Sequence, residues 1–315
     1  MKKALIIGID NYPTAPLSGC VNDANSMANV LEANGDGSPN FSVRLITAST
    51  NQVSKRELKQ QVEELFSGDN DTSLFYFAGH GCLTPVGGYI VTSDGISYDE
   101  GISMNEILQY ANKSKAKNKV IILDCCHSGA LGKLPDIQED RSLLGLGLVV
   151  LTACRDSETS AEVGGNGVFT SLVVDALQGG AADLRGFITP GSIYSYVDQA
   201  LGPWDQRPVF KSNITAFTSL RRINPPLATE DLRKICALFS DAAEEFALNP
   251  TYEDTDPSAV PEHCQQFKIL QKYNRVNLVV PVGEEHMYYA AINSKSCRLT
   301  ALGYQYWRLV NEKKL

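Results

Sequence analysis

The sequence predicts an α/β protein whose larger part is a mainly parallel six-stranded sheet with helices on both faces, followed by a small α+β domain. Three observations lead there. Apolar runs of strand length recur through the first two-thirds of the chain, and segments of helical length and periodicity separate them. The runs are almost continuously apolar instead of alternating, as in strands buried on both faces. At 315 residues, 43% hydrophobic and 20% charged, the chain is long enough for one large core and one small one.

The first strand covers residues 2–9 and runs into Asp10. "SVRLITAS" (42–49), "TSLFYFAGHG" (72–81), "KVIILDCC" (119–126) and "LGLVVLTAC" (146–154) supply four more, and "RPVFKSN" (207–213) a sixth. Helices are expected at 22–35, 54–66, 103–112, 167–178 and 190–201. Ser54 with Glu57 and Ser103 with Glu106 read as capping boxes. The connection from Ala130 to Gly145 mixes charge, glycine and proline and reads as a mobile loop.

"RRINPPLATED" (221–231) reads as a linker, because consecutive prolines continue neither strand nor helix, and Thr229 is placed to cap the next helix. The expected division is a first domain over 1–222, a linker over 223–228 and a second domain over 229–315. In the last segment two helix patterns ("TEDLRKICALFSDAAEEF" and "PEHCQQFKILQKYN") precede two short strands ("NLVVPV" and "MYYAAIN") and a final amphipathic helix in "LTALGYQYWRLV". Helix, helix, hairpin, helix resembles a winged-helix module.

Charge and composition exclude several classes of function. The formal net charge is −8, and from Pro226 onward 10 Lys and Arg face 12 Asp and Glu. A DNA- or RNA-binding role, which needs a basic face to neutralise phosphates, is disfavoured, and any electrostatic partner is expected to be basic. "MKKALIIGID" reaches Asp10 too early for a signal peptide, and no apolar run approaches the ~18 residues of a membrane span. A cytoplasmic protein without membrane attachment is expected. Its eight cysteines, scattered along the chain, are expected to be reduced thiols. Neither a Walker loop nor Gly-x-Gly-x-x-Gly follows the first strand, which disfavours a nucleotide-binding sheet.

In open α/β sheets chemistry collects beyond the carboxyl ends of the strands. His80 ends the third strand, and Cys125 and Cys126 end the fourth, so neighbouring parallel strands bring a thiol and an imidazole to one edge. That is the minimum set for a thiolate nucleophile with an adjacent base. Strand alternation sends the two cysteines to opposite faces, so only one serves; alternation alone does not say which. The competing readings are a small apolar core residue and a zinc site from Cys125, Cys126, His127 and His80. Adjacent cysteines chelate one tetrahedral ion poorly, and the Cys-x-x-Cys spacing is missing, so no metal is expected. His263 and His286 read as ordinary surface or core histidines.

Four motifs in order, "SGCVND", "AGHG", "DCCHSG" and "TACRDSETSAE", resemble the caspase and metacaspase clan of cysteine peptidases across residues 1–222. The resemblance implies a caspase-like three-layer sandwich, a catalytic His80, and a nucleophile directly before His-Ser-Gly, which is Cys126. It further implies an oxyanion hole from the backbone N–H groups of Gly81 and Cys126, and a first specificity pocket formed by Cys20, Asp23 and Asp124. Two carboxylates in a concavity favour a cation, and a planar guanidinium can be held bidentately, so cleavage after Arg or Lys is expected. The plainer alternatives are that Asp23 caps a helix near Asn22 and that Asp124 ties down a loop. Ala78 stands where metacaspases often carry Ser.

The resemblance also implies regulation, as a zymogen with an upstream protease or sensor as activator in a bacterial defence or cell-death setting. The connection over 130–145 carries Lys133 and Arg141, of the type the acidic pocket would accept, so cleavage there by the chain itself or by a related protease is expected. The plainer alternative is a solvated loop whose basic residues aid solubility. Many metacaspases use calcium. Asp94, Asp99 and Glu100 are the acidic residues on offer, but they do not match a ligand set motif by motif, and calcium dependence is not carried over. No cofactor is expected. The alternative to a peptidase is a non-catalytic scaffold that recruits partners through its C-terminal domain.

Overall fold

A computed structural model describes residues 1–125, 144–153, 162–163, 166–201 and 207–315. Contacts divide the chain into two compact units, Met1–Asn224 and Pro225–Leu315.

The first unit begins with β1 (Lys2–Ile9), α1 (Cys20–Glu32), β2 (Phe41–Ala48), α2 (Lys55–Ser67) and β3 (Thr72–Ala78). Three antiparallel strands follow, β4 (Gly81–Thr84), β5 (Gly87–Ile96) and β6 (Asp99–Ser103), and then α3 (Met104–Lys113), β7 (Asn118–Asp124) and β8 (Leu148–Thr152). A short hairpin, β9 (Glu162–Val163) with β10 (Asn166–Gly167), leads into α4 (Val168–Asp175), which ends in one π turn over Ala176–Gly180. Then come β11 (Phe187–Ile188), α5 (Pro190–Ala200), β12 (Val209–Asn213) and β13 (Arg221–Arg222).

The central sheet has six strands in the order β12-β8-β7-β3-β1-β2. β1, β2, β3, β7 and β8 pair in parallel, and β12 closes one edge antiparallel to β8. Alternation along each strand sorts the core into two layers. Ile6, Tyr76, Ile122 and Leu151 pack with Met27 of α1, Phe169 of α4 and Ile193 of α5. On the opposite face Ile7, Phe75, Leu123 and Cys125 pack with Leu58 and Val62 of α2 and Ile107 of α3. Burying both faces is what requires the near-continuous apolar runs.

Several elements differ from the sequence expectation. The fourth strand ends at Asp124, two residues short of Cys126, and the fifth at Thr152. The β4-β5-β6 sheet was not expected, because β4 and β6 have only four and five residues and, although β5 has ten, only Ile90 and Ile102 of the three strands are buried hydrophobics of the core. Ser54 does cap α2, accepting the Glu57 backbone N–H. Ser103 makes no side-chain cap bond to α3; it is also the last paired residue of β6, opposite Tyr89, so the sheet sets its orientation. Arg221 and Arg222, read as linker, pair with Ile188 and Phe187.

The second unit contains α6 (Thr229–Arg233), α7 (Ile235–Leu238), β14 (Glu245–Ala247), a 3₁₀ turn over Pro250–Tyr252, α8 (Pro261–Arg275), β15 (Val279–Val282), α9 (Met287–Ile292), β16 (Ser296–Leu299) and α10 (Ala301–Asn311). Its strands form an antiparallel sheet in the order β14-β16-β15.

"MYYAAIN" is a helix, not the second strand of a hairpin. Met287, Ala290 and Ala291 are buried at the i, i+3, i+4 spacing of one helical face. β15 therefore reaches β16 through α9, and the hairpin on which the winged-helix resemblance rested is replaced by strand-helix-strand. The long helix expected from Thr229 stops at Leu238. Asp241 accepts the Ala243 N–H at 2.8 Å, a local turn that competes with helix. Thr229 is the first helical residue, and Ala228 holds the cap position without a side-chain bond.

Candidate active site

The carboxyl ends of β1, β3 and β7 lie side by side, with Ala78 paired to Gly8 on one side and to Asp124 on the other. Just beyond, the Gly79 N–H donates to the Asp124 carbonyl at 3.3 Å, and the chain turns at His80 into β4. His80, at the end of the middle strand, thus sits between the α1 approach over β1 and the end of β7.

Gly8 sets the first neighbour. A Cβ there would lie 2.2 Å from the Cys20 carbonyl oxygen and 2.6 Å from the Ala24 Cβ, so a bare backbone lets the start of α1 descend onto β1. Asp10 anchors that start by accepting the Cys20 N–H at 2.9 Å. One turn into the helix, Asp23 is 3% exposed. It lies inside α1 while Gly19 holds the cap position, so the helix-capping reading of Asp23 does not hold.

Asp124 comes from β7 and is 6% exposed. Its even-numbered position places it on the sheet face that carries α1 and α4, along with Asp23. The two carboxylates converge on Gly167, at the entrance to α4. A Cβ on Gly167 would stand 2.7 Å from Asp124 Oδ2 and 3.0 Å from Asp23 Oδ2. The Gly167 N–H donates to both Asp23 oxygens, at 3.2 and 3.0 Å.

Thr170, one turn further along α4, donates its hydroxyl to Asp124 Oδ2 at 2.7 Å. With that single proton committed, the fully buried Tyr76 hydroxyl, 2.6 Å away, must be the donor to Thr170 Oγ1. Burial, and after it the charges of Asp124 and Asp23, hold the Tyr76 phenol well above its ordinary range. The chain Tyr76 to Thr170 to Asp124 is therefore directed, every proton pointing at the carboxylate, which favours its charged form.

His80 is held by the loop between β1 and α1. Its Nε2 lies 2.6 Å from the Ala15 carbonyl; a carbonyl only accepts, so Nε2 carries the proton. The Tyr12 ring packs 4.5 Å from the imidazole at 58°. Cys125 is 1% exposed within the α2 and α3 core layer.

The structure thus brings Cys20, Asp23, Asp124, His80 and Gly81 to one end of the sheet. Cys126, His127, Lys133 and Arg141 lie outside the described residues. Ala78 is 1% exposed in the α1 and α4 layer. The acidic trio is dispersed into other contacts. Asp94 accepts the Lys55 backbone N–H and the Thr92 hydroxyl, Asp99 pairs with the Lys55 ammonium, and Glu100 accepts the Tyr98 N–H. Among the described residues no three His, Cys, Asp or Glu side chains are grouped to hold a metal. His263 stacks on Tyr252 at 4.5 Å and bonds Thr251 in the second unit.

Sequence reasoning missed Tyr12, the Ala15 carbonyl, Gly167 and Thr170. None has a signal of its own, since each matters only through a partner far along the chain, the nearest pair being Thr170 with Asp124, 46 positions apart.

The family model of the caspase domain, peptidase C14, matches residues 1–219, well over half of the chain. The chain belongs to the caspase family. Metacaspase-2 of Trypanosoma brucei brucei is 27% identical over 221 residues, covering 57% of this chain and 61% of its own length. Metacaspase-3 of the same organism has the same identity and is covered over 59% of its length. The chain therefore matches about three-fifths of these relatives. Among solved structures the caspase fold reappears in caspase-1 of Spodoptera frugiperda, with TM-score 0.50, 15% identity, and coverage of 71% of this chain and 90% of that one. Protein GSU0716 of Geobacter sulfurreducens aligns with TM-score 0.53 and 16% identity, over 71% of this chain and all of that one. At these identities the two structures speak for the fold, a caspase-like α/β sandwich around the six-stranded sheet.

Proposed function

We propose that the chain is a cysteine endopeptidase that cleaves proteins after Arg, and less efficiently after Lys, with Cys126 as nucleophile and His80 as its proton-transfer partner. The carrying observation is the convergence of Asp23 and Asp124 on the side-chain-free Gly167. Two buried carboxylates separated by a bare backbone favour a planar cation that can bridge them. The Gly167 N–H donates to Asp23 and the Thr170 hydroxyl to Asp124, each a contact that favours the charged form of its acceptor.

The Cys126 thiolate attacks the scissile carbonyl carbon, and the negative oxygen is received by the N–H groups of Gly81 and Cys126. With the His80 Nε2 proton engaged by the Ala15 carbonyl, proton transfer falls to Nδ1, which gives its proton to the leaving amine. Water then attacks the thioester, His80 Nδ1 takes a proton from it, the C–S bond breaks, and the Arg-ended product leaves with the thiolate–imidazolium pair restored. Burial of Cys125 in the core layer supports the assignment to its neighbour. Lys133 and Arg141 are of the type this pocket would accept, which supports a zymogen cut by itself or by an upstream protease in a defence or cell-death cascade. The activity is assigned to the first domain, with the linker over 223–228.

A peptide library with every residue at the cleavage position tests this reading, using wild type, Cys126→Ala, Cys125→Ala, Asp23→Ala and Asp124→Ala. Cys126→Ala loses turnover and Cys125→Ala retains most of it. Each Asp variant loses about 10² to 10⁴ in kcat/KM on arginyl peptides, the equivalent of ~3 to 5 kcal/mol for a buried ion pair broken on one side. Efficient cleavage after Asp, or equal loss in the two Cys variants, overturns it.

A further inference from the structure

The ladder between β4 and β5 is opened at one bond, next to His80. The Val91 N–H donates to the His80 carbonyl at 2.9 Å, half of an ordinary antiparallel pair, in which the reciprocal N–H would donate to the Val91 carbonyl. Instead, the His80 N–H donates to the Tyr12 hydroxyl at 3.0 Å, and that hydroxyl donates onward to the Val91 carbonyl at 3.2 Å. One phenol oxygen is wedged into a backbone pair. Burial raises the Tyr12 phenol well above its ordinary range, so it keeps the proton it needs to accept and donate at once.

The wedge is built in. Tyr12 is 5% exposed, and a Cβ on Gly79 would lie 2.4 Å from its hydroxyl oxygen. Gly79, the first glycine of "AGHG", therefore leaves room for the phenol oxygen. Tyr12 is itself held, its N–H donating to the Asp10 carbonyl at 3.1 Å, in the loop that supplies Ala15 to the imidazole.

We propose that Tyr12 is a positioning residue for His80. Its hydroxyl spaces the His80 peptide from β5 so that the imidazole meets the Ala15 carbonyl and presents Nδ1 to the nucleophile. The inference rests on the reading of His80 as the proton-transfer group. Without the hydroxyl, the His80 N–H and the Val91 carbonyl are free to join directly, closing the ladder and drawing His80 toward β5. A direct bond replaces two mediated ones, so folding survives while the geometry of proton transfer does not.

The test measures steady-state kinetics on an arginyl peptide, thermal melting and amide hydrogen exchange for the full chain as wild type, Tyr12→Phe, Gly79→Ala, the double variant and His80→Ala. Tyr12→Phe is expected to lower kcat about 10- to 100-fold, the scale of a misplacement near 1 Å, with KM within about twofold and a cooperative melt retained. Gly79→Ala, whose Cβ would meet the Tyr12 hydroxyl at 2.4 Å and also the Phe77 ring at 2.8 Å on a backbone at φ +159°, lowers kcat at least as far, and the double variant is no worse than Gly79→Ala alone because both remove the hydroxyl contact. Exchange at the His80 amide slows as the direct bond forms. Unchanged kcat in Tyr12→Phe beside an inactive His80→Ala overturns the role of Tyr12 and leaves that of His80 standing. An active His80→Ala overturns both. Loss of cooperative melting in Tyr12→Phe, or a loss confined to KM, overturns positioning and makes the hydroxyl a structural element.

Discussion

Thr170 ties stability to the proposed recognition of substrate. Its hydroxyl accepts a hydrogen bond from the Tyr76 phenol and donates one to Asp124, so the methyl of Thr170→Val strands a buried phenol and removes a donor from a buried carboxylate. A loss of about 1 to 3 kcal/mol in stability is expected from the unpaired groups, together with weaker cleavage after Arg. Thr170→Ser restores the hydroxyl and most of both properties. Urea unfolding and kcat/KM on an arginyl peptide check this; a Val variant equal to wild type in both measurements refutes the directed chain. Cys20, Asp23 and Asp124 were legible as a set from the motifs. Thr170 was not, because a threonine inside a helix ordinarily signals only moderate helix propensity.

Elements differ in how fully local sequence dictates their ends. Ser54 and Ser103 carry the same S-x-x-E pattern, yet only Ser54 accepts the N–H three residues on. Ser54→Ala is therefore expected to cost about 1 kcal/mol, the usual worth of a side-chain cap, while Ser103→Ala stays within about 0.5 kcal/mol, as for substitutions that break no specific contact. Chemical denaturation of the two variants decides it, and equal costs contradict the distinction. The physical difference is that Ser103 ends β6, where cross-strand pairing with Tyr89 competes with the cap. α9 was misread for a related reason: over seven residues an apolar segment fits both periods, and only the buried set Met287, Ala290 and Ala291 selects the helical one.

Over the whole molecule the proposed peptidase carries its own candidate substrates. Lys133 and Arg141 follow the proposed nucleophile in sequence, outside the described residues, and a pocket that takes Arg and Lys, as proposed, would accept either. Mass spectrometry of purified wild type and Cys126→Ala is expected to find fragments ending at Lys133 or Arg141 in the wild type only. Full activity from an uncut chain carrying Lys133→Ala and Arg141→Ala sinks processing as the switch. The chain's net charge of −8 agrees with basic segments as preferred partners, since long-range attraction raises encounter rates with them.

By itself the sequence determined the α/β class, the five long strand runs, most helices of the first unit and the place of His80 beyond the carboxyl end of a central strand. These follow from periodicity and from strand ends, which are local or nearly local properties. Only the tertiary structure decided that Asp23 and Asp124 meet across Gly167, that Cys125 packs in the opposite layer, and that Tyr12 reaches His80 through the space left by Gly79. Those facts depend on strand order and on absent side chains. Residues 68 positions apart, Tyr12 and His80, touch because β1 and β3 are neighbours in a parallel sheet, and no local pattern encodes which strands become neighbours.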